Sequence, residues 1–141
     1  RMLASDDLTV TGDVGHLGRA LANVLDNAIK YSFRTSRTSE QRFITVVCRR
    51  HSTDGAVLIE FQSYGIGVLP DEVTAVFEFG ARGLLARQTD RRGSGIGLAE
   101  AKRILQAHGG RIAINSIQAP GGVYVTTVSI VIPAAGSRSI A

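Results

Sequence analysis

The sequence predicts an α+β two-layer sandwich, with helices on one face of a mixed, mostly antiparallel sheet. Three observations carry that prediction. Residues 17–32, LGRALANVLDNAIKYS, repeat apolar side chains at steps of three and four, the period of a helix. Residues 99–108, AEAKRILQAH, are amphipathic in the same way and stop at Gly109-Gly110. β-Branched runs at 43–49 and 56–62, and again at 111–117 and 123–132, come in pairs separated by the turn signals Asp54-Gly55 and Pro120-Gly121-Gly122.

Length and composition set bounds on function. The 141 residues fit one domain with a single core, expected over about 8–133 with 134–141 a frayed polar tail. Hydrophobic residues make up 44% and charged residues 20%, an ordinary globular balance. No apolar run approaches the roughly 18 residues of a membrane span, and the start, RMLASDDL, lacks a signal core. A cytoplasmic chain, either free or the cytoplasmic part of a membrane-bound protein, that makes no membrane contact of its own is expected. The lone Cys48 excludes an internal disulfide and fits a reducing compartment. A net charge of +4 raises the question of nucleic acid. The one dense basic group, Arg82, Arg87, Arg91 and Arg92, has no interleaved aromatic rings on which bases could stack, so no nucleic-acid partner is expected.

In chain order, the alternation at Leu8 and Val10 reads as an edge strand, and Thr11-Gly12-Asp13 as a turn. Asp13 is placed to cap the first helix, and His16 reads as a surface or capping residue. The helix stripe Leu17, Leu21, Val24, Leu25 and Ala28 is expected to be buried. Residues 33–42 are polar and loop-like, and 56–62 alternate as a strand with one buried face. Pro70 suits the first turn of a short helix, with Asp71 and Glu72 at its positive end.

A second stripe on the first helix carries the chemistry. Asn23, Asn27, Lys30 and Tyr31 recur at helical spacing beside the apolar stripe. Buried amides need partners, and a polar ligand along that face would supply them. An amide oxygen suits a hard cation such as magnesium, and a lysine suits phosphate. Asp26 points about 100° away and reads as solvated. Downstream, Gly65 and Gly67 leave a strand where backbone must approach something closely. Gly93, Gly95 and Gly97 feed the second helix, and a glycine-rich turn at a helix N-terminus gathers free N–H groups into an anion site. The Rossmann and P-loop patterns both fail: no strand leads directly into the motif, and no Gly-Lys-Ser/Thr follows it.

Four motifs in order resemble one family. N-x-x-x-N-A-x-K-Y resembles the N box of histidine-kinase catalytic domains, which share a superfamily (the Bergerat fold) with gyrase, heat-shock chaperone and mismatch-repair ATPases. The Ser63–Gly67 stretch resembles the G1 box, D-x-G-x-G. Phe77, Glu78 and Arg82 match the F box, and Gly93–Leu98 with His108-Gly109-Gly110 matches the G2 box. The resemblance covers about Leu8 to Pro133. It implies an ATP-binding catalytic domain of a sensor histidine kinase that moves the γ-phosphoryl of ATP to a histidine on a separate dimerisation and phosphoacceptor domain. A response regulator would follow downstream. The chain itself would be a monomer, since dimerisation belongs to the separate domain.

By the same resemblance, Asn27 holds Mg2+, and Lys30, Arg82 and the second glycine motif neutralise the phosphates. Tyr31 flanks phosphates and ribose, and residues 83–95 form a lid over the nucleotide. Asn23 stands where ATP-hydrolysing relatives carry a water-activating glutamate, so transfer is favoured over hydrolysis. Leu98 either lines the adenine pocket or packs the core, and Thr126 touches the adenine side. Arg82 either reaches a phosphate or is solvated, and Phe77 and Phe79 read as packing residues.

The sequence departs from the family at three places. Ser63 stands for the aspartate that accepts from the adenine amino group, Tyr64 for the following asparagine, and Gly80 for the second phenylalanine of the F box. Replacing a charge-assisted bond, about 1.5–3 kcal/mol, by a neutral one, about 0.5–1.5, loses on the order of 1 kcal/mol, roughly tenfold in affinity. Two alternatives stay open: a degenerate domain that acts by docking to proteins, and a serine kinase of the anti-sigma-factor type.

Overall fold

The computed structural model describes residues 2–4, 8–32, 44–51, 53–78 and 96–135. Five strands among them form one sheet: β1 (Met2–Ala4), β2 (Thr45–Arg50), β3 (Val57–Gly65), β4 (Arg111–Gln118) and β5 (Tyr124–Ile132), in the order β1-β2-β3-β5-β4. β1 runs parallel to β2 and every other neighbouring pair is antiparallel. Helices α1 (Val14–Tyr31) and α2 (Gly97–Ala107) complete the two-layer α+β arrangement.

Register gives the sheet two unlike faces. Val57, Ile59 and Phe61 of β3 stand opposite Ile132, Ile130 and Val128 of β5, and Val128 stands opposite Ile114 of β4. These seven side chains are buried against Leu17, Ala20 and Val24 of α1 and Leu98, Ala101 and Leu105 of α2. The period of two along each strand turns the alternate residues outward. That outer face carries the Arg49–Glu60 ion pair at 2.9 Å.

α1 begins where the sequence places its cap. The Asp13 carboxylate accepts from the His16 backbone N–H at 2.8 Å, and His16 itself is exposed. The helix runs through Tyr31, with Ser32 as its C-cap. α2 starts two residues earlier than its apolar periodicity suggests, so Gly97 and Leu98 belong to its first turn. The two helices are antiparallel neighbours: Asp13, at the start of α1, meets His108, past the end of α2, while Asn23 meets Glu100 near its start.

Four expectations are corrected. The edge strand is Met2–Ala4, whereas Val10 makes only an isolated bridge, to Ala134. That bridge, with Ala135 N–H donating to Thr9 O at 3.0 Å, ties residues 134–135 into the fold instead of leaving them as a tail. Leu25 is not on the buried stripe: it is 38% exposed, while Ala20 takes its place at 0%. A step of 100° per residue carries Leu25 past the edge of the contact with the sheet. The short helix after Pro70 is a pair of 3-10 turns, Pro70–Glu72 and Ala75–Phe77. The second of these buries Val76 and Phe77, and Lys102 of α2 lies over the Phe77 ring at 5.5 Å.

Candidate nucleotide site

The C-terminal end of β3 brings two of the sequence motifs together, the asparagine-bearing helix and the first glycine pair. β3 ends at Gly65, whose backbone bridges Ser32, and Ile66 N–H donates to Tyr31 O at 3.0 Å. This seats the end of α1, with Lys30 and Tyr31 in its last turn and Asn27 just before it, against Gly65 at the end of β3. A Cβ on Gly65 would lie 2.9 Å from Ser32 Cα and closer still to Tyr31 O, so the side-chain-free position is what lets strand and helix meet. Gly67 has a comparable reason: a Cβ there would run into the Tyr124 ring. The close approach read from the sequence is thus, at both glycines, an approach of this chain to itself.

Below these glycines lies a row of hydroxyls. Ser63, Thr126 and Ser116 stand opposite one another across β3, β5 and β4, on the helix-facing side, next to the apolar row Phe61–Val128–Ile114. Ser63 and Thr126 are the two buried polar residues among those described, each 8% exposed. Ser116 Oγ and Thr126 Oγ1 are 2.7 Å apart, and Ser116 Oγ also accepts from Val68 N–H at 2.9 Å. The Ser63 side chain makes no hydrogen bond to another described residue. The row is neutral throughout, with no carboxylate where the resembling family has one. Ser116 was not singled out from the sequence. Its signal is present all the same, since a hydroxyl interrupts the inward alternation Ile112, Ile114 of β4.

On α1 the polar stripe is divided among partners. Asn23 Nδ2 donates to Glu100 Oε2 at 2.9 Å, and Arg19 Nη1 donates to Glu100 Oε1 at 3.2 Å. Asn27 is half-buried and makes no side-chain hydrogen bond to another described residue. Lys30 Nζ lies 3.0 Å from Asp26 Oδ2, an exposed i,i+4 pair worth about 0.3–0.5 kcal/mol. Asp26 is therefore exposed, as expected, and ion-paired as well. Gly97 packs beside Asn23, whose Cβ would be 3.7 Å from a Cβ added at the glycine. Leu98 is buried in the core between the helices and the sheet. Arg82, Gly93 and Gly95, the lid and Phe79 lie outside the described residues. The helix that the glycine motif was read to feed does begin at Gly97.

Two carboxylates here are held below their ordinary range. Asp13 is lowered chiefly by the His16 backbone N–H. Glu100 is lowered first by the Asn23 amide and then by Arg19. A depressed folded value means that the unfolded chain takes up the proton first. Glu100 therefore stabilises the fold fully above its ordinary value of 4.5 and loses that contribution as pH falls through its lower folded value. Thermal unfolding followed from pH 7 to pH 3 is expected to show a shallower acid limb for Glu100→Gln than for the parent chain. Parallel limbs would refute the assignment.

Comparison with known proteins fits this geometry. The family described as histidine kinase-, DNA gyrase B- and HSP90-like ATPase matches residues 12–136. The sensor protein VanS of Enterococcus faecium is 40% identical over 113 residues, 80% of this chain and 27% of VanS. The sensor-like histidine kinase SenX3 of Mycobacterium tuberculosis is 36% identical over 131 residues, 93% of this chain and 30% of SenX3. Among solved structures, the mycobacterial sensor histidine kinase MprB superposes with a TM-score of 0.76 at 30% identity, covering 95% of this chain and 80% of that one. The chain spans about a quarter to a third of the length of the curated relatives it matches. Among the described residues no helix is long and apolar enough to cross a membrane.

Proposed function

Since the chain belongs to the family of histidine kinase-, DNA gyrase B- and HSP90-like ATPases, we propose that it is the ATP-binding catalytic unit of a sensor histidine kinase. In this reading it delivers the γ-phosphoryl of ATP to a histidine on a phosphoacceptor and dimerisation domain of the same protein, and a response regulator receives it in turn. Its work is cytoplasmic, and the chain alone is a monomer. The observation that carries the reading is the α1 face at the end of β3. There a half-buried Asn27 amide makes no hydrogen bond to another described residue and stands one turn from Lys30.

That amide fits magnesium. A neutral oxygen acceptor is a suitable ligand for a hard cation that keeps most of its shell from water and phosphate. Magnesium bound there would neutralise the phosphates of ATP. The chain's own groups position: Asn27 holds the cation, Lys30 turns from Asp26 toward phosphate, and the N–H groups at the start of α2 face anionic oxygens. Phosphoryl transfer asks mainly for such placement and charge neutralisation. Asn23 offers an amide and no free base, which disfavours activation of water.

Ser63 favours a second reading, a domain that has lost nucleotide and acts by docking. Its neutral row offers the base no charged anchor. Calorimetric titration with Mg-ATP separates the two. The parent chain is expected to bind, and Ser63→Asp to bind roughly tenfold tighter, since it restores one charge-assisted bond. If the parent chain is silent and Ser63→Asp binds, docking becomes the better account. Silence from both would refute the site itself.

A further inference from the structure

We propose that Glu100 is a positioning residue that fixes the amide of Asn23 with its oxygen toward the phosphate side, making Asn23 an acceptor for hydrated magnesium and not a donor to phosphate. The inference rests on the nucleotide reading above and goes beyond it, because Glu100 belongs to none of the residues assigned to that site.

The orientation follows from chemistry. An ionised carboxylate has no proton to donate, and Glu100 is kept ionised by Asn23 and Arg19. Whatever lies 2.9 Å from its Oε2 must be the donor end of the Asn23 amide. The oxygen end of that amide then points away from Glu100. Arg19 does the same for the other carboxylate oxygen, 3.2 Å away, so the carboxylate is gripped at both ends. Gly97, one turn before Glu100 on α2, puts no side chain of its own against Asn23: a Cβ there would lie 3.7 Å from Asn23 Cβ. Asn23 stands one helical turn before Asn27 on the same face. Two amide oxygens one turn apart suit a cation and its water shell, and an amide oxygen aimed at bare phosphate would be repelled.

Glu100→Gln inverts the arrangement without changing its size. Arg19 still requires an oxygen facing it, so the glutamine amide nitrogen falls opposite Asn23. Asn23 must then flip, presenting its nitrogen to the site. The 141-residue chain is titrated with ATP in excess Mg2+ and, separately, with ATP in EDTA, with Asn27→Ala as a control for the site. For Glu100→Gln, Mg-ATP is expected to bind about tenfold more weakly, while metal-free ATP binds as well as to the parent chain or better. Adding Arg19→Ala to Glu100→Gln frees the glutamine to rotate its oxygen toward Asn23 and should recover part of the Mg-ATP affinity. A merely structural role would weaken both nucleotide forms alike and would not be rescued by the second substitution. Either of those results overturns the positioning role while leaving the kinase site intact, provided Asn27→Ala still abolishes Mg-ATP binding. If the parent chain binds no Mg-ATP, the nucleotide reading and this inference fall together.

Discussion

Asn27→Ala is expected to lower Mg-ATP affinity by at least about a hundredfold. Even groups that only orient a metal's ligands cost about 10–100-fold when removed, and a direct ligand costs at least as much. Magnesium is bound through few protein groups, so no other side chain can take over. In the arrangement proposed above Asn23 meets the ion only through its water shell, and Lys30 is a cation. Because the Asn27 side chain is half-buried at the α1 surface and makes no hydrogen bond to another described residue, truncation removes no side-chain bond among the described residues. The variant should therefore melt within a degree or two of the parent chain while failing to bind. Calorimetry with Mg-ATP, beside a thermal melt, reads both at once. Retained binding would remove Asn27 from the proposed site.

Leu105→Ala is expected to be the most destabilising of the substitutions considered, by about 2–5 kcal/mol. Leu105 is fully enclosed between α2 and the sheet, together with Ile130 and Val24. Emptying that position leaves a void that rigid strands on one side and α1 on the other cannot close. For a domain of this size, a loss of about 3 kcal/mol corresponds to a drop in Tm of roughly 6–12 °C. Leu25→Ala is the matched control: the same atoms are removed from a side chain that is 38% exposed, and the loss should stay below about 1 kcal/mol. Equal losses from the two substitutions would contradict the corrected position of Leu25.

What was legible in the sequence is what repeats locally. α1 and α2 announce themselves through the period of 3.6, the Asp13 cap through its residue type at a helix start, and the four longer strands through β-branched runs between turn signals. The three-residue β1 has no room for a period, and its partner β2 lies more than 40 residues away, so the strand was placed instead at the alternation of Leu8 and Val10. The stripe on α1 was drawn one residue too wide because a spacing of three or four admits both Val24 and Leu25, and only the packed sheet chooses between them. The end of the asparagine-bearing helix and the first glycine pair meet at the end of β3, through the Ser32–Gly65 bridge and the Ile66–Tyr31 bond. Glu100 could not be found this way. A glutamate in a first helical turn already has an ordinary reason to be there, its favourable place in the helix dipole, and its partners Arg19 and Asn23 are 81 and 77 residues distant.

His108 gives the helix pair a second fastening. Its Nε2 accepts from Asp13 N–H at 3.1 Å, which leaves Nδ1 to donate to Ile104 O, 2.8 Å away. With the Asn23–Glu100 bond, α1 and α2 are pinned at two points, separated by ten residues on α1 and eight on α2, or about 15 and 12 Å at 1.5 Å per residue. A rod pinned once can pivot, and a rod pinned twice cannot. Sliding α2 along α1 by even an ångström stretches both bonds together, and rotating it breaks at least one. The amides of α1 and the first turn of α2 are therefore tied to each other at two separate points of the helix pair. A shear between the two helices on the arrival or departure of a ligand would have to break or stretch both fastenings.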